Sequence, residues 1–216
     1  MKSEVEKRVY LLKKPTWLRG QNLKYALPII SFLWRNLLPG QYLPSQLFDL
    51  LSPKTKKWSL GTFIFSNSPH PLKIERIDSL VEISHGLWEG KLESEIREKW
   101  PVLLKNWHDK PEEVIMPEGE SIKDVSEKSV EAFDKICLSQ KDNDLSLLVA
   151  HDAVNKTLIC NILGINYSNI WMIKQGNGGI TIIDLFNDHN KPPVISALNI
   201  TTHLGGIIDS TASGAL

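Results

Sequence analysis

The run Leu145-Ser146-Leu147-Leu148-Val149-Ala150 passes directly into His151-Asp152 and then into Ala153–Leu163, a helical stretch closed by Gly164. A nearly continuous apolar run of this length predicts a central strand buried on both faces. A glycine just past a helix predicts a left-handed cap. A strand that feeds a helix without a turn is the building unit of layered α/β folds, whose sites gather beyond the strands' C-terminal ends.

The rest of the chain extends that reading. Arg8–Leu12 is a β-branched and aromatic run stopped by Lys13-Lys14-Pro15, and predicts a first strand. Thr62–Ser66 and Lys73–Ile77 predict short strands, and Gly178–Asp184 and Val194–Asn199 two more, these last separated by the polar turn Asn187–Pro193. Leu92–Trp100 and Leu103–His108 predict short helices. Ser121–Gln140 predicts the clearest helix. Ser121 with Asp124 three residues on has a capping pattern, and Ile122, Val125, Val130, Phe133 and Ile136–Cys137 recur at helical spacing, with Ser129 the polar gap. The whole predicts a three-layer α/β fold.

The first third does not follow this order. Residues 7–74 hold 11 Lys and Arg against one acid, Asp49, and seven of the 12 prolines. Residues 75–216 hold 13 Lys and Arg against 22 Asp and Glu. The net charge of zero therefore hides two compositionally different pieces. Pro28, Pro39, Pro44 and Pro53 divide residues 15–60 into stretches that admit short turns of helix around 29–38 and 45–51 but no regular amphipathic helix. The division predicted is an atypical basic, proline-rich segment over residues 1–71 and an ordered domain over 72–216.

Composition excludes several classes. With 42% hydrophobic residues in 216, the chain can bury a real core, which excludes wholesale disorder. Cys137 and Cys160 supply neither a disulfide framework nor a zinc site by themselves, and His189 and His203 have no partners at metal spacing. Tyr25–Leu38 is shorter than the ~18–20 apolar residues of a membrane span and is interrupted by Arg35. The start, Met1-Lys2-Ser3-Glu4, shows no secretory pattern, so a reducing cytoplasm is expected. The basic residues of 7–74 lack the periodic clustering of a nucleic-acid surface, and no nucleic-acid partner is expected.

Two stretches carry candidate chemistry. His151, between a buried strand and a helix N-terminus, sits where backbone N–H groups and the helix dipole favour an anion. The alternative is a histidine satisfied by backbone carbonyls. In Val81-Glu82-Ile83-Ser84-His85-Gly86-Leu87-Trp88-Glu89-Gly90, Glu82 follows an apolar dipeptide. It is either aimed into a cleft with a raised pKa, suited to general-acid work, or merely solvated. Trp88 reads as a core anchor and the glycines as a tight backbone path. Pro117-Glu118-Gly119-Glu120-Ser121 reads chiefly as a turn and helix cap, although Glu120 and Ser121 have the chemistry to line a pocket. Gly176-Asn177-Gly178-Gly179 precedes a strand and reads as a tight turn.

Together these residues resemble the histidine phosphatase superfamily, with its phosphoglycerate-mutase-like fold. The matching pieces are Leu80-Val81-Glu82, Gly86-Leu87-Trp88-Glu89-Gly90, the Pro117–Ser121 turn and Val149-Ala150-His151. The stretch His151–Lys156, Ile173-Lys174-Gln175-Gly176-Asn177-Gly178-Gly179 and the run Ala197–Leu204 are similar to the C-terminal domain of tandem-domain phosphoglycerate-mutase-like proteins of photosynthetic bacteria. The resemblance covers residues 72–216. It implies phosphomonoester hydrolysis or phosphoryl transfer through a phosphohistidine, on a phosphorylated small molecule, with no metal or nucleotide cofactor. It also implies Glu82 as the acid and His151 as the late histidine of the phosphate pocket.

The same resemblance exposes departures. The family's first strand ends in Arg-His-Gly, which supplies a phosphate-binding arginine and the nucleophile. Here Lys13-Lys14-Pro15 stands there. Ser68-Pro69-His70-Pro71 comes after the expected second strand, with no arginine. His85 lies in the Glu82 loop and reads as a loop residue rather than a nucleophile. Lysine holds phosphate as a point charge but does not replace an imidazole that must attack and then leave. The expectation is an impaired phosphatase or mutase homologue, with Lys13, Lys14 and Asn155 as substrate-binding candidates. The rivals are a noncatalytic phosphate-ligand or partner-binding protein and a membrane-surface protein attached through residues 24–57. The single acid and seven prolines suggest that residues 13–71 arise from an altered reading frame of an ancestral catalytic segment.

Overall fold

A computed structural model describes residues 7–13, 75, 77–141, 144–186 and 191–202. Lys14, Thr62–Ser66, His70, the stretches 24–57 and 29–38, His189, His203 and the tail Thr211–Leu216 lie outside the described residues. So does most of Lys73–Ile77, of which Glu75 and Ile77 are described and belong to no strand.

Among the described residues, four strands form one sheet in the order β2-β1-β3-β4. They are β1 (Lys7–Lys13), β2 (Leu145–Ala150), β3 (Ile180–Leu185) and β4 (Val194–Ile200). Helices α1 (Glu93–Lys99), α2 (Pro101–Asp109), α3 (Ile122–Ser139) and α4 (Asp152–Leu163) fall between β1 and β3 in the chain. β1 runs parallel to β2, with Lys13 opposite Ala150, and antiparallel to β3, with Leu12 opposite Ile180. The C-terminal ends of β1, β2 and β4 and the start of β3 therefore meet at one sheet edge, since Ile180 also faces Ile200.

Among the described residues β1 is hydrogen-bonded on both sides and β2 stands at an end of the sheet. Leu145 is exposed and Leu147 and Val149 are half-buried, whereas Val9, Tyr10, Leu11 and Leu12 are all buried. An apolar run reports burial in general, but which strand is flanked on both sides is settled by tertiary pairing. The side chains of β1 alternate between two cores. Val9 and Leu11 pack with the helical layer, and Tyr10 and Leu12 with Ile180 on the opposite face.

Arg8 and Asp184 are register partners across β1 and β3, with Arg8 Nε 2.5 Å from Asp184 Oδ1. Burial pushes the Asp184 carboxyl up, but the hydrogen bonds from Arg8 and the Ser196 hydroxyl outweigh it and hold the pKa below its ordinary value.

The long helix α3 spans 122–139, with Ser121 as its N-cap. Asp124 N–H donates to Ser121 Oγ at 3.2 Å, and Ser121 N–H donates to the Asp124 carboxylate at 2.8 Å. Its buried face is Ile122, Val125, Ser126, Ser129, Ala132 and Phe133, with Val130, Ile136 and Cys137 only partly covered. Ser129 is fully buried but satisfied. Its hydroxyl donates to the Ser126 carbonyl at 3.2 Å and meets Thr157 Oγ1 on α4 at 3.3 Å. In α4, Asp152 to Cys160 are buried without interruption, and Gly164 ends the helix at φ +64°. Burial pushes the free Cys137 thiol up to about 12 and raises Cys160 as well, so both behave as core residues.

Replacing Asp184 by Asn should lower stability by about 1–3 kcal/mol, because Arg8 loses its charged partner. The contribution of Asp184 is present above its unfolded pKa of about 4 and is lost as pH falls through the depressed folded value. Urea denaturation of both proteins should therefore show the gap at neutral pH and its closure below about pH 3. A gap unchanged down to pH 2 would remove the ion pair as its cause.

Candidate functional site

Glu82 lies between two single turns of 3-10 helix, Asp78–Leu80 and Gly86–Trp88. Its loop is bolted to the turn that precedes α3. Ser84 N–H donates to Glu120 Oε2 at 2.8 Å, Glu120 N–H donates to the Ser84 carbonyl at 2.9 Å, and Leu87 N–H donates to the Pro117 carbonyl at 2.9 Å. Lys128 on α3 binds both Glu120 oxygens, at 2.7 and 2.9 Å. Glu120 is thus a brace between loop and helix. Gly86 has φ +53°, and a Cβ there would lie 2.1 Å from the Pro117 carbonyl oxygen. Buried Trp88 and Ile83 seat the loop on the core.

The brace directs Glu82 onto the N-terminus of α4. One carboxylate oxygen accepts from the Ile83 N–H at 3.0 Å and the other from the Asp152 N–H at 3.0 Å, and the Ala153 N–H adds a further hydrogen bond. His151 is the N-cap residue of α4, but its side chain makes no capping bond. Glu82, 70 positions away from Asp152 in sequence, takes over that work. Its Oε2 lies 3.9 Å from His151 Nδ1, an ion-pair separation when the imidazole is protonated. Burial raises the Glu82 pKa, and the nearby Asp152 charge adds to the rise against the backbone donors.

An aromatic wall stands beside this pair. The His85 ring meets Trp107 edge-on with centroids 6.0 Å apart, and burial lowers the His85 pKa, opposed by Glu89. Trp107 packs edge-on against Trp171 at 5.0 Å, and Trp171 Nε1 donates to the Trp107 carbonyl at 2.9 Å. On the sheet side, Gly179 N–H donates to the Gly176 carbonyl at 2.9 Å, closing a tight turn before β3, and Asn199, at φ +52°, accepts from Gly176 N–H at 2.7 Å.

The structure therefore brings Glu82 and His151 together. Lys13 ends β1 at the same sheet edge, by its backbone pairing with Ala150. Asn155 lies one turn into α4, fully buried, and neither polar atom of its side chain finds a hydrogen-bond partner among the described residues. Glu120 and Ser121 serve the brace and the helix cap. Sequence reasoning missed the buried Asp152–Lys156 pair, Trp107 and Trp171. The Asp-x-x-x-Lys spacing inside an apolar helix was the available signal. No group of three or more His, Cys, Asp or Glu among the described residues is placed to hold a metal ion.

A model of the histidine phosphatase superfamily (branch 1) matches residues 62–200. The chain belongs to the histidine phosphatase superfamily. Phosphoserine phosphatase 1 of Hydrogenobacter thermophilus is 31% identical over 168 residues, covering 78% of each chain. Among solved structures, YhfR of Bacillus stearothermophilus has a TM-score of 0.71 at 19% identity and covers 92% of this chain and 99% of its own. A phosphoserine phosphatase variant from Entamoeba histolytica, in complex with phosphoserine, has a TM-score of 0.65 at 20% identity and covers 92% and 99%. Those neighbours establish the phosphoglycerate-mutase-like α/β fold of this histidine phosphatase relative. No helix among its described residues is long and apolar enough to cross a membrane.

Two variants test the geometry. Gly86→Ala should destabilise by more than about 2 kcal/mol, since positive φ and a backbone collision combine. Gly90→Ala, at φ +77° with open space around it, should cost about 1 kcal/mol. Equal losses in thermal melts would refute the close approach at Gly86. For Glu82, a raised folded pKa means a contribution to stability that is full below the unfolded value and fades as pH rises through the folded one. Glu82→Gln, measured against wild type, should therefore look better at pH 8 than at pH 4.5.

Proposed function

We propose that the chain is a phosphomonoester-binding member of the histidine phosphatase superfamily whose hydrolytic power is impaired. The observation that carries this reading is the juxtaposition of Glu82, protonatable and half-buried, with His151 at the N-terminus of α4, beside the C-terminal end of β1. A carboxyl with a raised pKa is suited to protonating a leaving oxygen, and helix N–H groups with an imidazole are suited to a phosphate. β1 runs into Lys13-Lys14-Pro15, where the family carries Arg-His-Gly. Without that histidine, the Lys13-Lys14-Pro15 sequence itself offers no imidazole to take the phosphoryl group. Lys13 and Lys14 supply charge for holding an anion but no leaving group for turnover at neutral pH.

Asn155 enters the proposal as a polar group in waiting. A buried amide without partners costs about 1–3 kcal/mol, which a bound anion or its associated water would offset. The named relative makes phosphoserine the first organic probe, beside inorganic phosphate.

The test combines turnover and binding. Purified chain and the His151→Ala variant are assayed with a generic phosphomonoester and with phosphoserine at mildly acidic and neutral pH. A folded chain without turnover, stabilised by phosphate in a thermal melt and no longer so in His151→Ala, is the expected result. Turnover that vanishes in His151→Ala would mean that a working nucleophile survives, and the impairment would be wrong. Absence of both turnover and phosphate stabilisation would remove the phosphate reading altogether.

A further inference from the structure

The first turn of α4 holds a charge pair that the proposed chemistry leaves unused. Lys156 Nζ lies 2.8 Å from Asp152 Oδ2, and the two side chains are 10% and 11% exposed. The pair shares its helix with buried Ala153, Val154, Leu158, Ile159 and Cys160 and with the uncharged polar residues Asn155 and Thr157. The Lys156 ammonium also lies 5.0 Å from the Trp171 ring centre, and Trp171 is fixed in turn by Trp107. Removing two charges from water is expensive, and apolar residues of similar volume stabilise a core as well or better. The pair is therefore poorly explained by stability alone.

Its position supplies a role. Asp152 is the residue whose N–H holds Glu82 Oε2, and its carboxylate would, if uncompensated, repel the Glu82 carboxylate across the same turn. We infer that Lys156 is a positioning residue for Glu82: by pairing with Asp152 it offsets part of that repulsion and holds the first turn of α4 where its N–H groups seat the Glu82 carboxyl beside His151. The aromatic wall of Trp107 and Trp171 keeps Lys156 over Asp152 rather than in solvent. The inference rests on the site reading above, because Glu82 matters chemically only there.

Among the described residues, the charged and titratable groups around Glu82 come from four places. His151, Asp152 and Lys156 come from α4 and its cap, and His85 and Glu89 from Glu82's own loop. The Glu120–Lys128 pair braces that loop from the α3 side. Of these, Asp152 and Lys156 are the ion pair carried by the turn that binds Glu82.

Carboxyl carbon NMR titration of Glu82 in the full chain tests this without any need for turnover. Lys156→Met should raise the Glu82 midpoint by about one pH unit, as expected when a compensating charge is removed nearby. Lys156→Arg should restore it to within a few tenths. Asp152→Asn, which keeps the backbone donor and leaves Lys156 unpaired, should lower the midpoint, and it decides the matter if Lys156→Met does not fold. A Glu82 midpoint unmoved in folded Lys156→Met, or in Asp152→Asn, would overturn the inference. Because the readout is a titration, a chain without phosphatase activity leaves this result interpretable, and failure here leaves the phosphate-binding test standing.

Discussion

The contact between the Glu82 carboxylate and the first N–H groups of α4 organises the rest of the site. A helix leaves its first N–H groups without internal partners, and buried orphans of that kind are costly. The residue in the N-cap position, His151, does not satisfy them with its own side chain. A carboxylate arriving from a distant loop does so instead, with a favourable interaction with the helix dipole. The surrounding features all serve to deliver that carboxylate: the Gly86 approach to Pro117, the Glu120–Lys128 brace and the Trp88 anchor.

Opposing effects meet at this carboxylate. Burial and the Asp152 charge favour the neutral acid, while three backbone donors favour the anion. Burial wins, and the pKa is raised. The two effects act on one carboxyl, whereas a carboxylate with donors alone would favour the anion outright. The neighbouring His85 behaves in the opposite sense. Burial lowers its pKa, and its ring meets Trp107 edge-on.

The proposed departure from the family lies at the end of β1. The strand itself is intact: seven residues, paired on both sides, with Val9, Tyr10, Leu11 and Leu12 shielded on both faces. The sheet therefore keeps this strand, while Lys13-Lys14-Pro15 stands where the proposed reading expects Arg-His-Gly. Strand pairing depends on β1's own hydrogen bonds and apolar side chains and not on the residues just beyond its C-terminal end, so the loss of chemistry proposed there leaves the strand in place.

Local pattern made much of this architecture legible. The Ser121–Asp124 cap, the Gly164 terminator, the turn at Gly176–Gly179 and the strands near 8–12, 145–150, 180–185 and 194–200 all depend on neighbouring residues, so a sequence records them. Glu82 and His151 were legible as candidates because each borders an apolar run, and the family resemblance gave them roles. The sequence did not reveal that Glu82 caps α4 or that Glu120 is a brace. Nor did it show that Lys156 is buried against Asp152 under Trp171. Those facts join residues far apart in the chain or turn on which neighbours cover a helix face. Local periodicity determined which elements form. Which of their polar groups would meet, and how far water would be excluded from them, was decided by the packing of the whole chain.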